Sequence, residues 1–309
     1  MRALATYIMR GRMYAIFATA GLALFALPLV PLSWPLTYLS GATAVLVTLA
    51  HGPKEGLINI AGATLLVGLV AGLMLGQPLL AIGYAIFQWL PIWILAFVLY
   101  QQRSLTLVLL CIGFMGFFLV GSAYVVMDDP ANWWYSHFTE QVIPAMESAG
   151  IEFPPGDELS QQLKILSGMM TGMLALSSLF GYSVSVLIGR WWQSELYRPG
   201  AFGEEFRQLK MGKAVSILAA VLAVAGGIGS ETIAEVSNNL LMPLALLFMF
   251  QGIAIVHSIS YGKPSRAWLV IMYLALSLFM FFPYGVMFIM VLGLLDNGID
   301  IRARVRPKV

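Results

Sequence analysis

The sequence is poor in the residues that build most soluble catalytic and metal sites: it has one cysteine, three histidines, and charge on only 10% of its 309 residues. With Cys111 alone, neither an internal disulfide nor a cysteine-built zinc or iron–sulfur site can form. His137 with Asp128, Asp129 and Glu140 comes nearest to a metal constellation, but it lacks a second histidine at ligand spacing, so no metal and no cofactor is expected. No Gly-x-Ser-x-Gly surrounds a candidate serine, and Gly52-Pro53-Lys54 lacks the spacing of a phosphate loop. An enzyme is therefore not expected, and active transport would need an external motor. His51 and His257 read as hydrogen-bonding residues near the membrane surface. Soluble domains carry charge on about 25% of residues, so the scarcity here excludes an ordinary water-soluble fold. Seventeen Lys/Arg against fifteen Asp/Glu leave a net charge of +2, which gives no argument for a nucleic-acid partner.

What is abundant is apolar side chain, 60% of the whole. A helix crossing about 30 Å of hydrocarbon needs about 20 such residues, because each adds about 1.5 Å and every backbone polar group must be bonded internally. Measured against that length, the uncharged stretches predict spans at Met13 to Val30, Pro35 to Ala50, Leu57 to Leu75, Leu79 to Tyr100, Leu105 to Met127, Ile165 to Ile188, Ala214 to Ile228 and Asn239 to Ser258. The last stretch, Ala267 to Leu295, is too long for one straight helix and short for two. Charge decides between them. Arg2, Arg10 and Arg12 at one end and Arg302, Arg304, Arg306 and Lys308 at the other should both be cytoplasmic, which requires an even number of crossings. The chain should therefore turn back near Phe282, Pro283, Tyr284 and Gly285, as two short spans or a re-entrant hairpin. The two spans are preferred, which gives an all-α polytopic transmembrane helix bundle of about ten spans with both termini cytoplasmic.

This arrangement puts sixteen of the seventeen basic residues inside and only Lys164 outside. The bias accords with the positive-inside rule and sets the orientation of a multi-pass membrane protein. The N-terminus has the basic-then-apolar order of a signal peptide, but its apolar run is span-length, and it reads as a retained first helix. A single integral membrane domain, 1–309, is the simplest division. Within it, 128–164 forms an extracytoplasmic amphipathic segment and 190–213 a cytoplasmic interfacial loop. After Pro130, Trp134, Phe138, Val142, Ala145 and Met146 recur at helical spacing, so the outer segment is either a lid over an outward cavity or a helix resting on the bilayer.

Polar side chains inside the spans mark where to look for a ligand. Gln88 is central in its span, with Tyr84 one turn earlier and Pro91 just beyond, where the helix should kink. Gln251 is central in the eighth. In the sixth, Ser167, Thr171, Ser178, Tyr182 and Ser185 share one helix face. Such hydroxyls either line a cavity or bond across packed helices, and Gly68, Gly72, Gly76, Gly168 and Gly172 mark close helix contacts. No charged residue falls inside an expected span, which argues against a proton relay or ion pump. Tyr84, Gln88, Gln251, Thr171, Ser178, Tyr182 and Tyr284 are the candidate ligand-binding residues for a small neutral polar or amphipathic molecule.

The inner loop from Arg190 to Phe206, taken with Gln251-Gly252 and with Leu292-Gly293-Leu294-Leu295-Asp296 followed by Asp300-Ile301-Arg302, resembles the YybS-like predicted membrane proteins of bacteria. Those proteins look distantly related to the membrane-embedded solute-binding components of energy-coupling vitamin importers, although those components are usually six-helix bundles and ten spans are counted here. The resemblance implies a solute-binding or transport component, multi-pass in the bacterial inner (cytoplasmic) membrane. Two other readings stand beside it: a membrane scaffolding protein that recruits a cytoplasmic or membrane partner through its loop and basic tail, and a lipid-handling protein. For the partner, Trp191, Trp192, Tyr197, Pro199, Gly200, Phe202 and Phe206 are the candidate contact residues.

Overall fold

In the computed structural model, which describes residues 2–27, 33–153, 157–261, 267–277 and 283–305, the chain is all-helical, with no strand among the described residues. In chain order the helices are α1 (Arg2–Ile8), α2 (Arg12–Ala26), α3 (Ser33–His51), α4 (Pro53–Leu75), α5 (Leu80–Gln102), α6 (Leu105–Met127), α7 (130–148), α8 (Asp157–Tyr197), α9 (Ala201–Arg207), α10 (Lys213–Ile228), α11 (Glu231–Ser260), α12 (Ala267–Ser277), α13 (Pro283–Ile299) and α14 (Ile301–Val305). Five of them, α4, α5, α6, α8 and α11, are long and apolar enough to cross a membrane. Of the residues expected at the turn, Phe282 lies outside those described, with 278–281, and Pro283, Tyr284 and Gly285 form the first turn of α13. On either side of 278–282 stand two separate helices of 11 and 17 residues.

Prolines explain two local departures from α geometry. In α5 the backbone widens to π form over Ala85–Trp89, and in α7 over Phe138–Val142. Each stretch ends two residues before a proline, Pro91 and Pro144. Proline has no N–H for the carbonyl four residues back, so an interrupted ladder is expected at both places.

The chain forms two compact units. The first comprises residues 1–112 and 180–209. In it α2, α3 and α4 pack on one another, and α3 and α4 also pack on α5. One core cluster gathers Ala44, Ile60, Ala63, Val67 and Ala81 around the fully buried Trp89, and another gathers Ala5, Ile8, Ala42 and Leu46 around the fully buried Trp192.

The second unit comprises residues 113–179 and 210–309. Here α11 packs against α10, α12 and α13. The crossing with α13 is backbone to backbone: a Cβ added at Gly252 would fall on the Ile289 carbonyl, and one added at Gly293 would fall on the Phe248 carbonyl. Only glycine permits that approach.

Candidate ligand groove beneath the amphipathic helix

In the second unit, Asp129 caps α7, its carboxylate accepting the Asn132 N–H at 2.9 Å, and Pro130 opens the first turn. This start aims three aromatic residues. Trp133 stacks on His137 with ring centroids 5.3 Å apart, and Trp134 meets Trp133 edge to face at 4.6 Å. The Trp134 indole N–H donates to the Thr171 hydroxyl of α8 at 3.1 Å.

That bond spans a cavity of about 210 Å³, walled by Leu119, Ala123 and Met127 of α6 and by Leu174 and Ala175 of α8. Thr171 and Ser178 supply its polar edge. Ser178 donates to the Leu174 carbonyl at 3.0 Å, which leaves its oxygen free to accept. Chemically, the groove suits a small apolar body with one hydrogen-bonding group.

Behind Thr171 a side chain of α11 bonds the backbone of α8. The Gly168 carbonyl and the Gly172 N–H are partners in a regular α-helix; here both bond the amide of Asn239, at 2.7 and 2.6 Å. The same amide nitrogen lies 2.9 Å from the Glu235 carbonyl and 3.1 Å from the Tyr124 hydroxyl, and Tyr124 in turn donates to the Glu235 carboxylate at 2.6 Å. Any side chain at Gly172 would collide with Asn239 and Met242, so the glycine and the asparagine require each other. Sequence reading set Asn239 at the start of a span. Because α11 begins eight residues earlier, at Glu231, Asn239 lies more than two turns inside the helix and is fully buried.

The other candidate ligand residues lie elsewhere. Gln251 is fully buried, and its amide is committed to protein partners: Oε1 accepts the Met211 N–H at 2.8 Å, while Nε2 donates to Asp296 at 3.2 Å and to Asn297 at 3.1 Å. Asn297 also accepts the Gly212 N–H and donates to Ser216. Arg302 closes the node by donating to Asp296 from Nε at 3.1 Å and from Nη2 at 2.7 Å. Helix α13 runs past Leu295, so a fully buried carboxylate does lie within it, one turn from its end. The residues Gln251, Gly252, Gly293, Asp296 and Arg302 all meet at this one crossing. Tyr284, in the first turn of α13, is 78% exposed.

Tyr84, Gln88 and Tyr182 belong to the first unit and gather at the π stretch of α5. The Tyr182 hydroxyl donates to the Phe87 carbonyl, which Pro91, four residues on, has no N–H to serve. Tyr84 packs on Trp89, its hydroxyl 3.4 Å from that of Thr37, while the buried Gln88 Nε2 has no partner among the described residues. The sixth-span hydroxyl face thus divides: Thr171 and Ser178 line the groove, whereas Tyr182 and Ser185 bond to backbone carbonyls.

The loop residues divide likewise. Trp192 is a fully buried core residue of the first unit, so it presents no face to a partner, whereas Trp191 packs against the same cluster and stays partly exposed. Tyr197, Pro199 and Gly200 are exposed, and Phe202 packs on Phe206 with centroids 5.7 Å apart. The group that ties the loop down is Glu205: it takes the Arg190 guanidinium at 2.9 Å and the Leu105 N–H, at the start of α6, at 3.0 Å. Ser194 completes the tie, donating to the Arg198 carbonyl and accepting the Phe202 N–H. Among the described residues no group of three His, Cys, Asp or Glu is arranged to hold a metal. No family model, curated protein or solved structure matches the chain.

Proposed function

We propose that this chain is a multi-pass protein of the bacterial inner membrane, of the YybS-like kind, that binds a small amphipathic molecule in a solute-binding or transport role. In this reading it has about ten spans, both termini are cytoplasmic, α7 lies on the outer face, and no reaction is catalysed. The observation that carries the reading is the Trp134–Thr171 bond across a cavity with apolar walls and two hydroxyls at its edge. Two of the side chains that sequence reading marked for a ligand, Thr171 and Ser178, line that cavity together with the aromatic residue that roofs it.

The test is to purify the full chain and a Ser178→Leu variant from the same cells and compare the small molecules extracted from each by mass spectrometry. Ser178 is exposed to the groove, so leucine fills the groove without entering a packed core. A compound retained by the natural protein and lost from the variant supports the proposal; matching extracts refute it. If the retained compound is a membrane lipid, the role is lipid handling at the same groove, which its apolar walls also support.

A further inference from the structure

A second cavity, independent of the groove, lies within the first unit, where the start of α2, the end of α3 and the first turns of α4 meet. It measures about 370 Å³, within the range of small-molecule pockets and far more than one water fills. Arg12, His51 and Glu55 stand around it, Val47 and Ile58 form apolar wall, and Asn59 contributes a buried amide.

The amide is the informative group. Thr19 gives its hydroxyl hydrogen to the Ala15 carbonyl at 2.9 Å, so towards Asn59 its oxygen can only accept. Asn59 must therefore turn its NH₂ to Thr19, at 2.9 Å, and its carbonyl oxygen to the other side. That oxygen is buried and has no hydrogen-bond partner among the described residues, although Asn59 is only 3% exposed. Buried carbonyls are almost always paired, and this one, which has no open surface as it stands, would meet a guest's donor as the Asn59 side chain turns toward the adjoining cavity.

Charge defines the guest further. Arg12 and Glu55 form a two-point pair, Nε to Oε2 at 2.7 Å and Nη2 to Oε1 at 2.6 Å. The two already satisfy each other at the exposed mouth, so a charged group carried past them to the wall of Val47 and Ile58 would lose its water and gain no ion partner of its own. We infer that the α2–α3–α4 cavity binds a net-neutral small molecule with an apolar body and an N–H or O–H that donates to Asn59 Oδ1.

The test uses three probes built on one 4-methylpentanoyl body: N-methyl-4-methylpentanamide, its isosteric ester methyl 4-methylpentanoate, and the 4-methylpentanoate anion. Binding to the full detergent-solubilised chain is measured by saturation-transfer NMR. The amide should bind, with the ester and the anion each about tenfold weaker, the worth of one hydrogen bond or one uncompensated charge at this scale. Asn59→Leu should erase the preference of amide over ester, and Ile58→Trp, which fills the cavity from a half-buried wall position, should abolish binding of all three. If Asn59→Leu does not fold, the natural protein's amide-to-ester ratio and the Ile58→Trp result decide. No binding of the amide, equal binding of amide and ester by the natural protein, or unchanged binding by Ile58→Trp would overturn the inference.

Discussion

The two units bury polar groups by different means. In the first, the fully buried groups are neutral, the Arg190–Glu205 pair being only partly buried, and they form a relay: the Trp89 indole donates to Ser40, Ser40 to the Thr19 carbonyl, Asn59 to the Thr19 hydroxyl, and Thr19 to Ala15. In the second, amides surround an ion pair, and Asp296 holds Arg302 and Gln251 while Gln251 and Asn297 hold the Met211–Gly212 turn. A neutral relay that loses one member leaves a dipole unpaired. An ion pair that loses one member leaves a charge unpaired, which is costlier in an apolar interior. The ionic node is also the wider tie, joining the turn before α10, the middle of α11 and the α13–α14 junction.

The most severe test of this contrast is Asp296→Ala. Arg302 would lose its counter-ion while its side chain is only 12% exposed, and Gln251 would lose one acceptor. A loss of about 3 kcal/mol is expected, read from unfolding of the detergent-solubilised chain. Replacing Asp296 and Arg302 together by leucine should recover most of it, since a removed pair leaves no orphan charge. A single-variant loss no larger than that of a neutral relay member would erase the distinction between the units.

Next comes Gly252→Ala. The added methyl meets the Ile289 carbonyl, part of a neighbouring backbone and not a movable side-chain tip, so α11 and α13 must separate. The cost should be about 2 to 3 kcal/mol, measured in the same assay, because packed interiors resist added volume. A loss below half of that would mean that the crossing is loose and that the ionic node does not depend on it. In the first unit the matching experiment is Ser40→Ala, which strands the Trp89 indole N–H and one route to Thr19. About 1 to 2 kcal/mol is expected, the cost of one buried donor left unsatisfied.

The contrast also bears on what could be read from sequence. The stretch Leu105 to Met127 matches α6 at both ends, because Arg103-Ser104 and Asp128-Asp129 bracket it with polar residues. Ile165 to Ile188 lies inside a 41-residue helix, because hydropathy marks where side chains become polar, not where the backbone ladder ends. Thr171 and Ser178 were legible as one hydroxyl face, and the disturbance before Pro91 followed from proline chemistry. Asn239, Glu205 and the Asp296–Gln251 contact were not legible, since their partners lie 67, 100 and 45 residues away in the chain. No local spacing rule reaches that far. Trp191 and Trp192 read as interfacial aromatics beside an arginine, yet they complete a core that α1 covers, and α1 carries no local sign of that pairing.

The gentlest test falls where a neutral group repairs a backbone defect. Tyr182 donates to the Phe87 carbonyl, which the imide nitrogen of Pro91 cannot serve. Tyr182→Phe should cost about 1 kcal/mol, the net worth of one hydrogen bond, with the ring still packed. In a Pro91→Ala background a backbone N–H returns to the chain four residues beyond Phe87, so the same substitution should cost less there. The difference between the two costs, from a double-variant cycle, isolates the hydroxyl's service to the broken ladder. An equal cost in both backgrounds would mean that the hydroxyl's bond to the Phe87 carbonyl is worth the same with or without the missing N–H, and that it does not serve the broken ladder.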